Sequence, residues 1–283
     1  MTDFERQADD FITNEQQFHL GFLPTEQSNP LTRSMEKDFK TSTTAGVRTL
    51  QSADRPVLDM AKRIWRSAEF AKLVADGIST IENGGRIIFS GCGATGRLSI
   101  LLESMWRQAC AEVPSMVGRA DAVESIMTGG DYALVRSVEF FEDYASFGRR
   151  QVAEAEFTSR DMLVAITEGG ETSSVLGTAA EALDRGGKVF LLFNNPAKLL
   201  CEHLERSRLI IEDARVCVLD LSCGPMALAG STRMQATTSE QLIAGAALEK
   251  VFHHFAGLPE VDHERGFETL LTELEACAAD IAA

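Results

Sequence analysis

The chain has no Cys-x-x-Cys pair, no histidines at metal-ligand spacing, no basic excess and no apolar run near the roughly 18 residues of a membrane span. Each absence excludes something. Six scattered cysteines (Cys92, Cys110, Cys201, Cys217, Cys223 and Cys277) are too dilute for a disulfide framework and read as reduced thiols. His19, His203, His253, His254 and His263 make no ligand pattern, so no metal and no other cofactor is expected. With 27 Lys and Arg against 42 Asp and Glu, the net charge of −15 argues against nucleic acid or an anionic membrane as partner. The first residues, Met1-Thr2-Asp3-Phe4-Glu5-Arg6, lack an apolar core segment, so no secretory signal is expected and the cytoplasm is the expected compartment. What is present is ordinary globular composition: 283 residues, 45% hydrophobic and 24% charged, enough for one large α/β domain or two small ones.

Residues 1–54 are polar and mixed, with turn signals at Pro24 and Asn29-Pro30, and read as an arm plus a short helix. Leu58, Ala61, Trp65, Ala68, Ala71 and Val74 then recur at three- and four-residue steps, which predicts one long amphipathic helix over about 55–82, stopped by Asn83-Gly84-Gly85. Short apolar runs at 86–90, 162–166, 188–193 and 216–221, with a possible fifth near 122–127, alternate with helical segments. Strands apolar on both faces and separated by helices imply a parallel sheet covered on two sides, an α/β class of three layers. Ligands of such sheets sit beyond the carboxyl ends of the strands, so the strand-end turns are where chemistry is sought.

Four such turns carry candidate residues. Gly91-Cys92-Gly93-Ala94-Thr95-Gly96 fits GxGxxG between a strand and a helix, a turn whose backbone N–H groups and helix dipole suit phosphate. A dinucleotide site would add an acidic residue ending the next strand, and neither Glu112 nor Asp121 ends a convincing one. Thr167-Glu168-Gly169-Gly170-Glu171-Thr172-Ser173-Ser174 has the same layout, although its two carboxylates oppose a phosphate unless they turn aside or meet a cation. Gly129-Gly130-Asp131 leads to Glu139, Glu142 and Asp143, whose spacing suits one helix face and either a solvated surface or a positioned base. Gly230-Ser231-Thr232-Arg233 opens the helix near 234–252, with Ser231 and Thr232 as caps and Arg233 a possible anion ligand.

Taken in order, Ser28-Asn29-Pro30-Leu31-Thr32-Arg33, Ser90-Gly91-Cys92-Gly93-Ala94-Thr95-Gly96-Arg97, Gly129-Gly130-Asp131, Glu139 with Glu142-Asp143, and Gly230-Ser231-Thr232-Arg233-Met234 resemble a known family. The stretch from about 18 to about 255 is similar to a sugar isomerase (SIS) domain of the group containing glucokinase regulatory protein and N-acetylmuramic acid 6-phosphate etherase. The resemblance implies a five-stranded flavodoxin-like sheet binding a phosphosugar, with a single SIS domain at 55–257 and a helical segment at 258–283. It places the substrate site on Gly91, Gly93, Ala94, Thr95, Gly96, Glu142, Gly169, Gly170, Glu171, Thr172 and Ser173. Thr95 and Thr172 match phosphate-binding hydroxyls, and Glu142 matches a carboxylate that contacts the sugar and is the candidate catalytic residue.

Three departures bear on activity. The etherase's second glutamate, eight residues after the motif arginine, is Met105 here, and Glu103 points elsewhere on its helix. Gly169 stands where the second loop is expected to carry serine, with Glu171 nearby. The length covers one SIS domain where the regulatory protein has two and a cap, so a homodimer is expected, together with an unidentified regulated protein partner. Three readings follow: a phosphosugar sensor or regulator, a carbon–oxygen lyase or aldose–ketose isomerase using Glu142 as base, and a dinucleotide oxidoreductase resting on GxGxxG alone.

Overall fold

The computed structural model of the chain describes residues 2–15, 18–136, 140–230 and 233–283. Helices α1 (Asp3–Asn14), α2 (Met35–Thr41), α3 (Thr43–Gln51), α4 (Arg55–Trp65) and α5 (Ala68–Glu82) precede the first strand. The alternating region runs β1 (Ile87–Gly91), α6 (Ala94–Glu112), β2 (Val123–Met127), α7 (Tyr132–Val135), α8 (Ala145–Glu154), β3 (Met162–Ile166) and α9 (Ser173–Asp184). It continues through β4 (Lys188–Phe193), α10 (Ala197–His203), α11 (Glu205–Ile211) and β5 (Val216–Asp220). Then follow α12 (Gln235–Ala256), α13 (His263–Ala276) and α14 (Ala278–Ile281).

The five strands are all parallel, in the order β2-β1-β3-β4-β5. Alternate residues serve two separate cores, because successive side chains of a strand point to opposite faces. Ile87, Phe89, Met162, Val164, Ile166, Phe190 and Leu192 pack with α4, α5, α6, α12 and α13 on one face. Ile88, Leu163, Ala165, Val189, Leu191 and Phe193 pack with α8, α9 and α10 on the other. Helix α6 therefore leaves β1 toward one face while α9 leaves the adjacent β3 toward the other. Their N-termini diverge around a crevice at the carboxyl ends of β1 and β3, the switch point where such sheets bind ligands.

Two expectations need correction. The segment 55–82 is not one helix: α4 ends at Trp65, and Ser67 caps α5 by accepting the Phe70 amide at 3.1 Å. The apolar rhythm stays in phase across the break because both helices bury against α12, so periodicity alone does not reveal it. Residues before 55 hold more helix than an arm with one short helix. They also brace strand-end loops: Asn29 donates to the Pro225 carbonyl at 2.8 Å and Thr32 to that of Ala227 at 2.6 Å. The Ser28–Arg33 motif is thereby a clamp on the loop between β5 and α12.

Candidate functional site

A cavity of about 180 Å³ opens at the switch point, lined by Cys92, Gly93, Ala94 and Thr95 after β1, and by Glu168, Gly169, Glu171 and Thr172 after β3. Glu142, from the turn before α8, and Arg233, from the loop before α12, complete it. Gly91, Gly96, Gly170 and Ser173 are not among the lining residues. Gly91 and Gly96 let the turn close, since a Cβ on Gly91 would lie 2.4 Å from the Thr95 backbone and one on Gly96 would lie 2.7 Å from Met127 Cγ. Gly93 immediately precedes α6 at φ 57°, ψ −115°, a conformation that side chains rarely adopt. The Thr95 hydroxyl is buried in its own loop: it accepts the Cys92 amide at 2.9 Å and donates to the Cys92 carbonyl at 2.9 Å. It shapes the turn, and would have to release that carbonyl to donate to a ligand.

In the second loop Thr167 donates to Thr172 Oγ1 at 3.0 Å, which leaves the Thr172 proton available to an anion in the cavity. Ser174, one residue into α9, bonds Thr128 at 3.0 Å, and Ser173 and Thr172 make no side-chain cap. The carboxylate of Glu171 does turn aside. Arg206 donates from Nε to the Glu171 carbonyl at 2.6 Å and from its terminal nitrogen to Oε2 at 3.1 Å. Burial raises the Glu171 pKa and the Arg206 charge opposes that rise. The glycine at 169 belongs to the same arrangement, because a Cβ there would meet Glu171 Oε1 at 2.8 Å. Gly169→Ser is expected to push Glu171 off Arg206 and cost about 1 kcal/mol, and to cost far less in a Glu171→Ala background. Urea unfolding of the four proteins measures this coupling, and additive losses would refute the steric link.

Glu142 lies on a 3₁₀ turn (Phe141–Asp143) and not on a continuous helix face, a correction to the expected shared face, and Phe140 before the turn has a φ of 73°. Phe141 packs edge-on against Phe147 with ring centroids 4.1 Å apart, which anchors the turn on α8. Glu139 lies outside the described residues, as do Ser231 and Thr232. The Cys92 thiol donates to Glu142 Oε2 at 3.7 Å. Burial, with the Glu142 charge adding to it, pushes the Cys92 pKa up to about 11, so the residue is a hydrogen-bond donor to the carboxylate and not a thiolate nucleophile. Sequence reasoning missed Cys92 because a middle position of a glycine turn reads as backbone chemistry. Its only signal was its place in that turn.

Among the described residues Arg233 is exposed, has no salt bridge and is the one basic side chain lining the cavity. Glu168 takes the Thr237 hydroxyl at 2.5 Å. The N-termini of α6 and α9 both point at this space, adding unsatisfied N–H groups and positive dipole ends. No cluster of three or more metal-ligating side chains occurs among the described residues. Met105 is 57% exposed and lines an apolar groove with Leu101, Trp65 and Leu270, away from the cavity. It sits eleven residues along α6 from Ala94, about 16 Å by helical rise. Glu103 is engaged by Arg107 at 2.9 Å and Ser125 at 2.5 Å. Strand β2 runs into Thr128 and supplies no acidic residue at its end, which removes the second half of a dinucleotide fingerprint.

The chain is similar to several known proteins. Residues 69–183 fit the family model of the glucokinase regulatory protein N-terminal SIS domain. The N-acetylmuramic acid 6-phosphate etherase of Yersinia pestis (strain Pestoides F) is 31% identical over 226 residues, 79% of this chain and 68% of that protein. N-acetylmuramic acid 6-phosphate etherase 1 of Bacillus licheniformis is 28% identical over 225 residues, 80% of this chain and 67% of that protein. Among solved structures, a phosphoheptose isomerase from Francisella tularensis superposes with a TM-score of 0.51 at 17% identity, covering 78% of this chain and 98% of that one. That likeness concerns the fold.

Proposed function

Because the chain belongs to the SIS-domain family of the N-acetylmuramic acid 6-phosphate etherases, we propose that it binds a sugar phosphate of amino-sugar metabolism at the switch-point cavity and serves as its sensor or regulator. The observation that carries the reading is the convergence of Thr172, Arg233 and two helix N-termini on one small polar cavity that also holds Glu142. A phosphate dianion finds there a free hydroxyl proton, a guanidinium and backbone N–H groups. The sugar then extends toward Glu142, whose orientation the Cys92 thiol supports. In this reading residues 55–257 form the SIS domain, and the protein works in the cytoplasm as a homodimer that passes the ligand signal to a protein partner. The regulatory role is favoured over catalysis by Met105: an apolar side chain stands at the position where the resemblance implies an acid, and that position does not line this chain's own cavity.

A lyase or isomerase reading is favoured by one feature, the Glu142 carboxylate at the cavity, a group of the kind that acts as base toward a sugar carbon. One panel separates the two. Thermal unfolding is followed with fructose 1-phosphate, fructose 6-phosphate, glucosamine 6-phosphate and N-acetylmuramic acid 6-phosphate. A ligand at 100 times its Kd stabilises by about 2.7 kcal/mol, a rise of several degrees for a chain of this size. Thr172→Val is expected to abolish most of that rise, and to lower the unliganded Tm by a few degrees because the buried Thr167 hydroxyl loses its acceptor. Cleavage of the lactyl ether of N-acetylmuramic acid 6-phosphate, lost in Glu142→Gln, would replace the sensor reading by the lyase one.

A further inference from the structure

Glu240 on α12 is 0% exposed, and Asn194, just beyond the end of β4, is equally buried. The Asn194 amide donates from Nδ2 to Glu240 Oε1 at 3.0 Å. The remaining oxygens of the same two side chains, Glu240 Oε2 and Asn194 Oδ1, are both buried without a hydrogen-bond partner. Two orphan acceptors on groups already joined by one bond call for a single proton between them. A protonated carboxyl facing a primary amide closes a ring, with N–H to one carboxyl oxygen and O–H back to the amide oxygen. We propose that Glu240 and Asn194 form such a neutral carboxylic acid–amide pair, and that the pair makes Glu240 a positioning residue for the loop at 167–172.

The link to the loop is short. The Asn194 amide nitrogen donates to the Glu168 carbonyl at 3.0 Å, and the neighbouring Asn195 side chain donates to the Gly169 carbonyl at 2.9 Å. Asn195 is itself held by Thr25, accepting from the Thr25 amide at 3.2 Å and donating to its hydroxyl at 3.0 Å. The end of β4 thus carries the first residues of the loop, and Glu240 holds the end of β4 from behind. The titratable groups that face Glu240 are Glu168 from the loop and Cys223 from the segment after β5, the latter with Arg63 beside it. No Lys or Arg among the described residues pairs with Glu240. Burial, with the Glu168 charge adding to it, holds the carboxyl well above the usual carboxylate range. The sign follows: the contribution is complete below the ordinary carboxylate value and is lost as pH rises through the folded one. Ionisation would set a second negative charge near that of Glu168 and loosen the loop.

The pair predicts a specific ranking of variants, and its effect on ligand rests on the phosphate reading given above. Glu240→Gln keeps both ring hydrogen bonds and cannot ionise, whereas Glu240→Leu keeps neither. Infrared spectroscopy of the full chain near neutral pH is expected to show a protonated carboxylic acid band that disappears in Glu240→Gln. Amide hydrogen exchange at 168–171 is expected to match wild type in Glu240→Gln and to rise about tenfold in Glu240→Leu. In wild type the same amides are expected to exchange faster, relative to the intrinsic rate, as pH is raised far enough to ionise Glu240, with no such change in Glu240→Gln. Fructose 6-phosphate affinity should follow the same order. Absence of the band, or Glu240→Gln behaving like Glu240→Leu, overturns the pair. If the band and exchange follow the expectation while fructose 6-phosphate does not bind, the pair stands and the ligand assignment is what falls.

Discussion

Arg233→Ala is expected to weaken phosphosugar binding about 10- to 100-fold while leaving the unliganded Tm unchanged. The cavity is lined by Glu142, Glu168 and Glu171 and by a single basic side chain, so the balance for a dianion is delicate. Glu171 is offset by Arg206 outside the lining, and Glu168 is partly satisfied by Thr237. The two helix N-termini supply about 0.3–1 kcal/mol each at such a site, which is less than one charge-assisted hydrogen bond of about 1.5–3 kcal/mol. Arg233 is therefore the largest single attraction. Its exposure means that its removal leaves no buried partner stranded, which is why stability should not move. Arg233→Lys should fall between, because an ammonium keeps the charge and loses the fork that matches a phosphate. Titration calorimetry with fructose 6-phosphate and N-acetylmuramic acid 6-phosphate measures all three proteins. Unaltered affinity in Arg233→Ala would remove the guanidinium from the site.

Gly148→Ala is expected to be the most destabilising single-methyl change in the chain, by about 3 kcal/mol and roughly 6–12 °C in Tm. Helices α8 and α9 meet backbone to backbone. A Cβ on Gly148 would lie 1.8 Å from the Ser174 carbonyl oxygen, and one on the facing Gly177 would lie 2.1 Å from that of Ala145. Neither obstacle is a side chain that can rotate away, so the helices must separate. Separation has a functional consequence as well, because Ser174 lies in the first turn of α9, two residues after Thr172, and bonds Thr128 just beyond the end of β2. The same variant should therefore bind phosphosugar more weakly, to a degree that Arg233→Ala reaches without any loss of stability. Differential scanning calorimetry decides the first part. A Tm within about one degree of wild type would show that the contact has slack.

Much of the scaffold was legible in advance. Met162–Ile166 is a continuous apolar run with the bounds of β3, and Lys188–Phe193 is apolar after its first residue and has the bounds of β4, because strands buried on both faces need apolar side chains along their length. The site was legible in part, since glycine and hydroxyl residues at strand ends announce themselves locally. Other features gave no local sign. The stretch Gln235-Ala236-Thr237-Thr238-Ser239-Glu240 is mostly polar, yet Gln235, Ser239 and Glu240 are buried. Gln235 and Glu240 have partners elsewhere in the fold: Asn194 lies 46 positions from Glu240 and Asp54 lies 181 from Gln235. The break between α4 and α5 escaped for the opposite reason, a periodicity that continues through it.

The chain's own order of residues determined the fold class, the strand positions and the glycine turns, because hydrophobic period and backbone freedom act over a few neighbouring residues. Which carboxylates face the cavity, which are neutralised and which are protonated was decided only by the tertiary structure. Those properties depend on burial and on charges brought close by folding, as Arg206 is to Glu171 from 35 positions away and Glu168 is to Glu240 across the end of the sheet.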